Sequence, residues 1–179
     1  MIQWSDVSYG ADIAQRMHIW ELNDLAPRDG WGAVVLLHGG GWREGSWEDF
    51  LSLAPALARK GLYVAALDYR LAPAHRWPAQ LDDVLAALDF LEGQWVDPTR
   101  VALWGHSAGG HLAMMAGLHR PERVRCVVAL GAPGVAEAQR QIGNETAERE
   151  RRRCAAAPHA GGYAPLDTLV EAPAPLPPG

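Results

Sequence analysis

The sequence predicts an α/β domain: a doubly wound, mostly parallel sheet with helices on both of its faces. Two observations predict it. Short runs rich in valine and leucine recur at 33–37, 62–68, 100–104 and 124–130, and runs of that length and composition suit strands buried on both faces of a parallel sheet. Between them, apolar residues recur at helical spacing. Strand, helix, strand, repeated along a chain, is the pattern of a doubly wound sheet.

Each element has its own signal. Arg16–Leu22, "RMHIWEL", alternates with a two-residue period and reads as a half-exposed strand. Ser46 is placed to cap a helix that carries Phe50, Leu53, Ala54 and Leu57 up to Gly61. Pro78 suits the first turn of a second helix with Leu81, Val84, Leu85, Leu88 and Leu91, ending at Gly93. A third helix is expected from about Ser107 through Leu112, Met115 and Leu118 to His119. From residue 131 the pattern decays, and the closing "EAPAPLPPG" cannot be a central strand, because proline donates no ladder hydrogen bond.

Bulk properties narrow the function classes. The 179 residues suffice for one domain, and a chain near that size buries roughly 70% of its unfolded surface. A net charge of −5 with no basic stripe argues against a nucleic-acid surface. The charge run Glu148–Arg153 mixes signs and reads as a solvated helix face. The opening "MIQWSDVSYGADIAQ" has neither the basic start of a signal peptide nor the apolar length of a membrane span. Two cysteines make no disulfide framework, so a reducing cytoplasm is the default. Cys126, inside "VRCVVAL", is expected in the core, whereas Cys154 follows an arginine cluster.

The chemistry is concentrated in two glycine-rich stretches. Gly105-His106-Ser107-Ala108-Gly109 has the form G-x-S-x-G between an apolar strand and a helix, the context of a nucleophile elbow. Side chains two residues to either side of so sharp a turn would collide, which accounts for Gly105 and Gly109. The helix that follows points free amides and its positive end toward developing negative charge. "HGGGW", at residues 38–42, follows another strand. Attack on a carbonyl creates an oxyanion that needs fixed donors; the Ala108 amide supplies one, and amides of Gly39, Gly40 and Gly41 supply others. "HGGGWREGS" is neither a phosphate-binding nor a dinucleotide-binding loop, so no cofactor and no metal is expected.

These stretches, with "LDYRLAPAHRWPAQLDDV" and "RVALWGHSAGGHLA", resemble the α/β-hydrolase esterases and lipases of the hormone-sensitive-lipase-like and carboxylesterase-like group, and the related bacterial feruloyl-esterase-type proteins. The similarity spans roughly residues 8 to 135. It implies an α/β-hydrolase fold and an acyl-enzyme formed on Ser107. Gly39–Gly41 and Ala108 map onto the oxyanion hole, and the substrate is a small carboxylic ester with a short acyl or aryl group. The "HGGGW" stretch also fits the pattern of kynurenine-formamidase-like hydrolases, which would cleave a formamide through the same serine. A non-catalytic remnant that only binds is the third reading.

Serine needs a histidine to take its proton and an acid to orient that histidine, in this fold in the order Ser, Asp or Glu, His. After Ser107 the histidines are His111, His119 and His159, and Asp167 follows His159, which inverts the order. By resemblance, the C-terminal strands that carry the acid and the histidine are missing, about two βα units. Residues 1–179 then read as a single incomplete domain with an atypical tail at 135–179. Without a following strand, 124–130 is expected to be an open edge through which the chain self-associates. Of the other candidates, His106 points away from the site, His111 packs in its helix, His38 braces the glycine loop and His75 is structural. Trp42 and Trp77 wall an acyl or alcohol pocket or belong to the core. Asp68 ends a strand, and Asp82 and Asp83 serve the early turns of their helix.

Overall fold

The computed structural model describes residues 1–22, 27, 28 and 30–134. Six strands form one sheet: β1 (Ile2–Ser8), β2 (Arg16–Leu22), β3 (Trp31–Leu37), β4 (Tyr63–Leu67), β5 (Val96–His106) and β6 (Val124–Leu130). Their order across the sheet is β1-β2-β4-β3-β5-β6. β1 and β2 pair antiparallel, as do β2 and β4, and the remaining four strands run parallel. Helices α1 (Leu53–Ala58), α2 (Ala79–Leu91) and α3 (Ala108–His119) connect them, with a single 3-10 turn at Trp47–Phe50 before α1.

The sheet divides the core in two. On one side Val35, Leu37, Leu67 and Leu103 pack against Leu81, Val84 and Leu88 of α2 and Leu112 and Ala116 of α3. On the other, Leu36, Val64 and Ala66 pack against Phe50, Ala54 and Ala58. Both faces of β3 and β4 are therefore dry, as their unbroken apolar sequences require. The winding changes direction at β3, with β4 on one side and β5 on the other. In open α/β sheets the crevice outside the carboxyl ends of the strands at such a switch is where ligands bind. Here those ends lead into the glycine loop after Leu37 and the serine turn after His106.

Several expectations need correction. The helix expected from Ser46 to Gly61 is split. Ser46 Oγ does accept the Glu48 N–H (3.3 Å), but the first turn stays 3-10 and α1 begins anew at Leu53. Pro55 has no N–H to donate back into the preceding turn, so it is accommodated only within the first turn of a new helix. β2 is not half-exposed: Met17, His18, Ile19 and Trp20 are all buried, because β2 is flanked by β1 and β4 and His18 is covered by the ring of Trp47, stacked at 4.0 Å.

β6 is not buried on both faces, and Cys126 is exposed rather than in the core. A register shift in the β5–β6 pairing sets Val127 and Ala129 toward α3 and leaves Cys126, Val128 and Leu130 on the face that the Phe50–Ala58 layer does not reach. β1 was not anticipated at all. It is an edge strand with no buried residue, and Trp4 on it is 61% exposed. The tail at 135–179, with the charge run, Cys154, His159 and Asp167, lies outside the described residues.

Candidate active site

Ser107 occupies the single residue between β5 and α3, with φ 52° and ψ −118°. A non-glycine residue held there is strained by about 1–3 kcal/mol. Packing enforces it. A Cβ on Gly105 would run into the Gly109 carbonyl, and one on Gly109 into the carbonyls of Leu37 and His38. Only glycines let the start of α3 come this close to β5 and β3. The amide of Ser107 is committed, donating to the Leu130 carbonyl at 2.8 Å, and its carbonyl accepts the His111 N–H at 3.1 Å. The Ala108 amide, one residue on, belongs to the first turn of α3, where amides have no intrahelical acceptor.

Gly39 lies against this turn. A Cβ there would sit 2.9 Å from His106 Nδ1 and 3.4 Å from Ser107 Cβ, so the loop and the serine come together, and bare backbone is what permits it. His106 is exposed beside Gly39. Among the described residues, no backbone carbonyl accepts from the amides of Gly39, Gly40 or Gly41. The loop itself is fixed from below. His38, 1% exposed, donates from Nδ1 to the Gly39 carbonyl (2.8 Å), and its ring stacks on Tyr69 at 4.2 Å. Tyr69 Oη donates to the His38 carbonyl (2.9 Å), and the Ala72 N–H donates to the Trp42 carbonyl (2.8 Å). Burial pushes the His38 imidazole below its ordinary range and the Tyr69 phenol up.

The remaining candidates take other places. Asp68 accepts the Trp47 N–H (2.8 Å) and faces His18 Nε2 at 3.8 Å; burial raises its carboxyl above the usual range. His75 Nε2 lies 3.5 Å from Asp12. His111 is buried, its ring flanked by Trp42 and Trp77. Trp42 is buried and Trp77 partly buried against the same core cluster. His119 ends α3 and holds the Met115 carbonyl from Nδ1. Among the described residues, no side chain makes a hydrogen bond to Ser107 Oγ. A shallow cleft lined by Leu91, Val96, Val101 and Arg123 lies at the amino end of β5, away from the serine.

Sequence reading missed Asp83. It does not serve a helix start: its carboxylate is fully buried and accepts from Arg70 Nε and Nη2, the Arg70 backbone N–H and Gln15 Nε2 at 2.6–3.0 Å. Helical spacing held the clue, since Asp83 falls in register with Gln80 and Ala87, both buried.

A sequence profile of the BD-FAE family matches residues 26–154, well over half of the chain. The chain belongs to the BD-FAE family. Among relatives of this BD-FAE chain, the esterase LipC of Mycobacterium tuberculosis is 35% identical over 117 residues, covering 63% of this chain and 29% of LipC. The carboxylesterase NlhH of the same organism is 42% identical over 105 residues, 52% of this chain and 31% of NlhH. The chain thus spans about a third of the length of these relatives. Of solved structures, the carboxylesterase EstE1 from a metagenomic library superposes with a TM-score of 0.64 at 30% identity, covering 74% of this chain and 47% of EstE1. Esterase B of Lactobacillus rhamnosis, at 24% identity and a TM-score of 0.65, covers 85% of this chain and 55% of its own; it shares the fold. The α/β-hydrolase architecture follows from both. No helix among the described residues is long and apolar enough to cross a membrane.

Proposed function

We propose that this chain cleaves small carboxylic esters, with short acyl or aryl groups, through an acyl-enzyme on Ser107. The observation that carries the reading is the strained turn at Ser107, pressed against Gly39 at the switch point of the sheet. Ser107 Oγ attacks the ester carbonyl, and the tetrahedral oxyanion takes hydrogen bonds from the Ala108 amide and from amides of Gly39–Gly41. These donors need no reorganisation during the reaction, which makes them worth several kcal/mol in the transition state. The names of LipC, NlhH and EstE1 support an ester substrate.

The proton on Ser107 Oγ has no described acceptor. His111 is sealed beneath Trp42 and Trp77, and His119 sits at the far end of α3, about 18 Å away at 1.5 Å per residue. The test is turnover of a nitrophenyl acyl ester, together with labelling by a fluorophosphonate. Ser107→Ala removes both. The 179-residue chain is expected to turn over slowly, at about the 10³–10⁴-fold over water that oxyanion donors and binding supply alone. Full ester turnover by Ser107→Ala protein overturns the assignment. A kcat of the intact chain in the ordinary range of roughly 1–10³ per second means that a histidine outside the described residues, such as His159, reaches the serine.

A further inference from the structure

His111 lies four residues after Ser107, on the first turns of α3, and is 5% exposed. Its ring meets Trp42 edge-on, with centroids 5.3 Å apart and planes at 87°, and lies tilted against Trp77 at 5.7 Å. His111 Nδ1 and Trp42 Nε1 are both buried, and neither has a hydrogen-bond partner among the described residues. Buried nitrogens left unpaired lower stability. That cost is tolerated at a place that does something other than stabilise.

Trp42 is the residue that closes the glycine loop, and it is held at φ +61°. A bulky side chain keeps such a conformation only when its surroundings over-determine it. The backbone is held by the Ala72 N–H, and the ring meets His111, which Trp77 flanks in turn. One continuous set of contacts thus runs from the loop through Trp42 to His111, and by the His111 N–H to the carbonyl of Ser107 itself. Resting on the reading of Ser107 as nucleophile and Gly39–Gly41 as oxyanion donors, we propose that His111 is a positioning residue. Seated against the edge of Trp42, it sets the spacing between the glycine-loop amides and the serine. The imidazole suits this place while neutral. A cation on the first turns of α3 would face the positive end of the helix.

The experiment compares wild type, His111→Ala, His111→Phe and Ser107→Ala. Amide exchange is read by mass spectrometry on peptides spanning 38–44 and 63–67, and affinity is read with phenylboronic acid, which forms a tetrahedral adduct on an active serine. His111→Ala is expected to speed exchange at 38–44 by ~10-fold while β4 stays protected. It is expected to weaken boronate binding by ~10-fold or more, the scale of a misplaced reacting group. His111→Phe restores most of both, because the edge-on contact with Trp42 survives. Unchanged exchange at 38–44 in His111→Ala overturns the proposal. So does equal loss of protection at 38–44 and 63–67, which is general destabilisation. If His111→Ala does not fold, His111→Leu, of similar bulk but without a ring, takes its place under the same criteria. Boronate bound equally by Ser107→Ala refutes the nucleophile reading alone, and the exchange comparison still decides on His111.

Discussion

The amide of Ser107 donates to the carbonyl of Leu130 at 2.8 Å, so a strained residue, held at positive φ, is anchored on β6, the strand whose apolar side chains are the most exposed in the parallel part of the sheet. Elbow and edge are mechanically one unit. What holds β6 in place also holds the serine at φ 52°.

The strain should be measurable. Glycine adopts positive φ freely, so Ser107→Gly relieves the turn while giving back part of the gain through a more flexible unfolded chain. We expect Ser107→Gly to be more stable than Ser107→Ala by about 1 kcal/mol in urea unfolding. Equal stability of the two variants means that the turn is not strained.

Asp83 should matter to the site without touching it. Removing its buried carboxylate leaves the Arg70 guanidinium and Gln15 Nε2 without this partner, a loss of roughly 3–5 kcal/mol for Asp83→Ala. Arg70 follows Tyr69, whose hydroxyl holds the His38 carbonyl, so the glycine loop should loosen along with the fold. Urea midpoints of Asp83→Ala and wild type check the first expectation. A loss under ~1 kcal/mol means that the cluster is not the buried ion pair its geometry describes.

Acid should destabilise the fold through its buried histidines. Burial lowers the His111 imidazole from 6.5 to about 4, so between those values the unfolded chain binds the proton and the folded chain does not. Stability is then fully present above about pH 6.5 and falls with pH down to about 4, by roughly 3 kcal/mol for this residue. His38 and His18 are shifted in the same direction, also by burial, and add to the loss. Asp68, raised by burial, acts with the opposite sign at lower pH. His111→Phe should flatten the dependence of the urea midpoint between about pH 7 and pH 4.5. An unchanged slope shows that His111 takes up its proton in the folded state without cost.

How much of this was legible in the sequence depended on how local the cause was. The β3 and β4 runs read correctly because each is dry on both faces, and Gly105 read correctly because the collision it avoids, with Gly109, lies within about one turn of chain. The collision Gly109 avoids is with the carbonyls of Leu37 and His38, a contact made only by the tertiary fold. Asp83 did not read correctly. Its partners Gln15 and Arg70 lie 68 and 13 residues away, and only the tertiary fold brings them together. β1 was invisible because an edge strand facing water needs no apolar pattern. β6 misled for the converse reason: valines and a cysteine suggest burial, but whether a strand face is covered depends on what packs against it.

That face yields the last prediction. β6 pairs with β5 on one side, and among the described residues no strand pairs with its other side. Val128 is 38% and Leu130 46% exposed, with Cys126 on the same face. An unpaired edge next to exposed apolar side chains is a template for a second chain, and neither a proline nor a charge blunts it between Cys126 and Leu130. We propose that the chain self-associates along 124–130. A charge placed there should prevent it: Val128→Lys disfavours pairing with a second copy and leaves the α3-facing residues Val124 and Val127 in place. Sedimentation should show wild-type chain shifting to larger species as concentration rises, with amide exchange slowing along 124–130, while Val128→Lys stays monomeric. A wild-type chain that remains monomeric at high concentration, with fast exchange along this strand, shows the edge to be open and harmless.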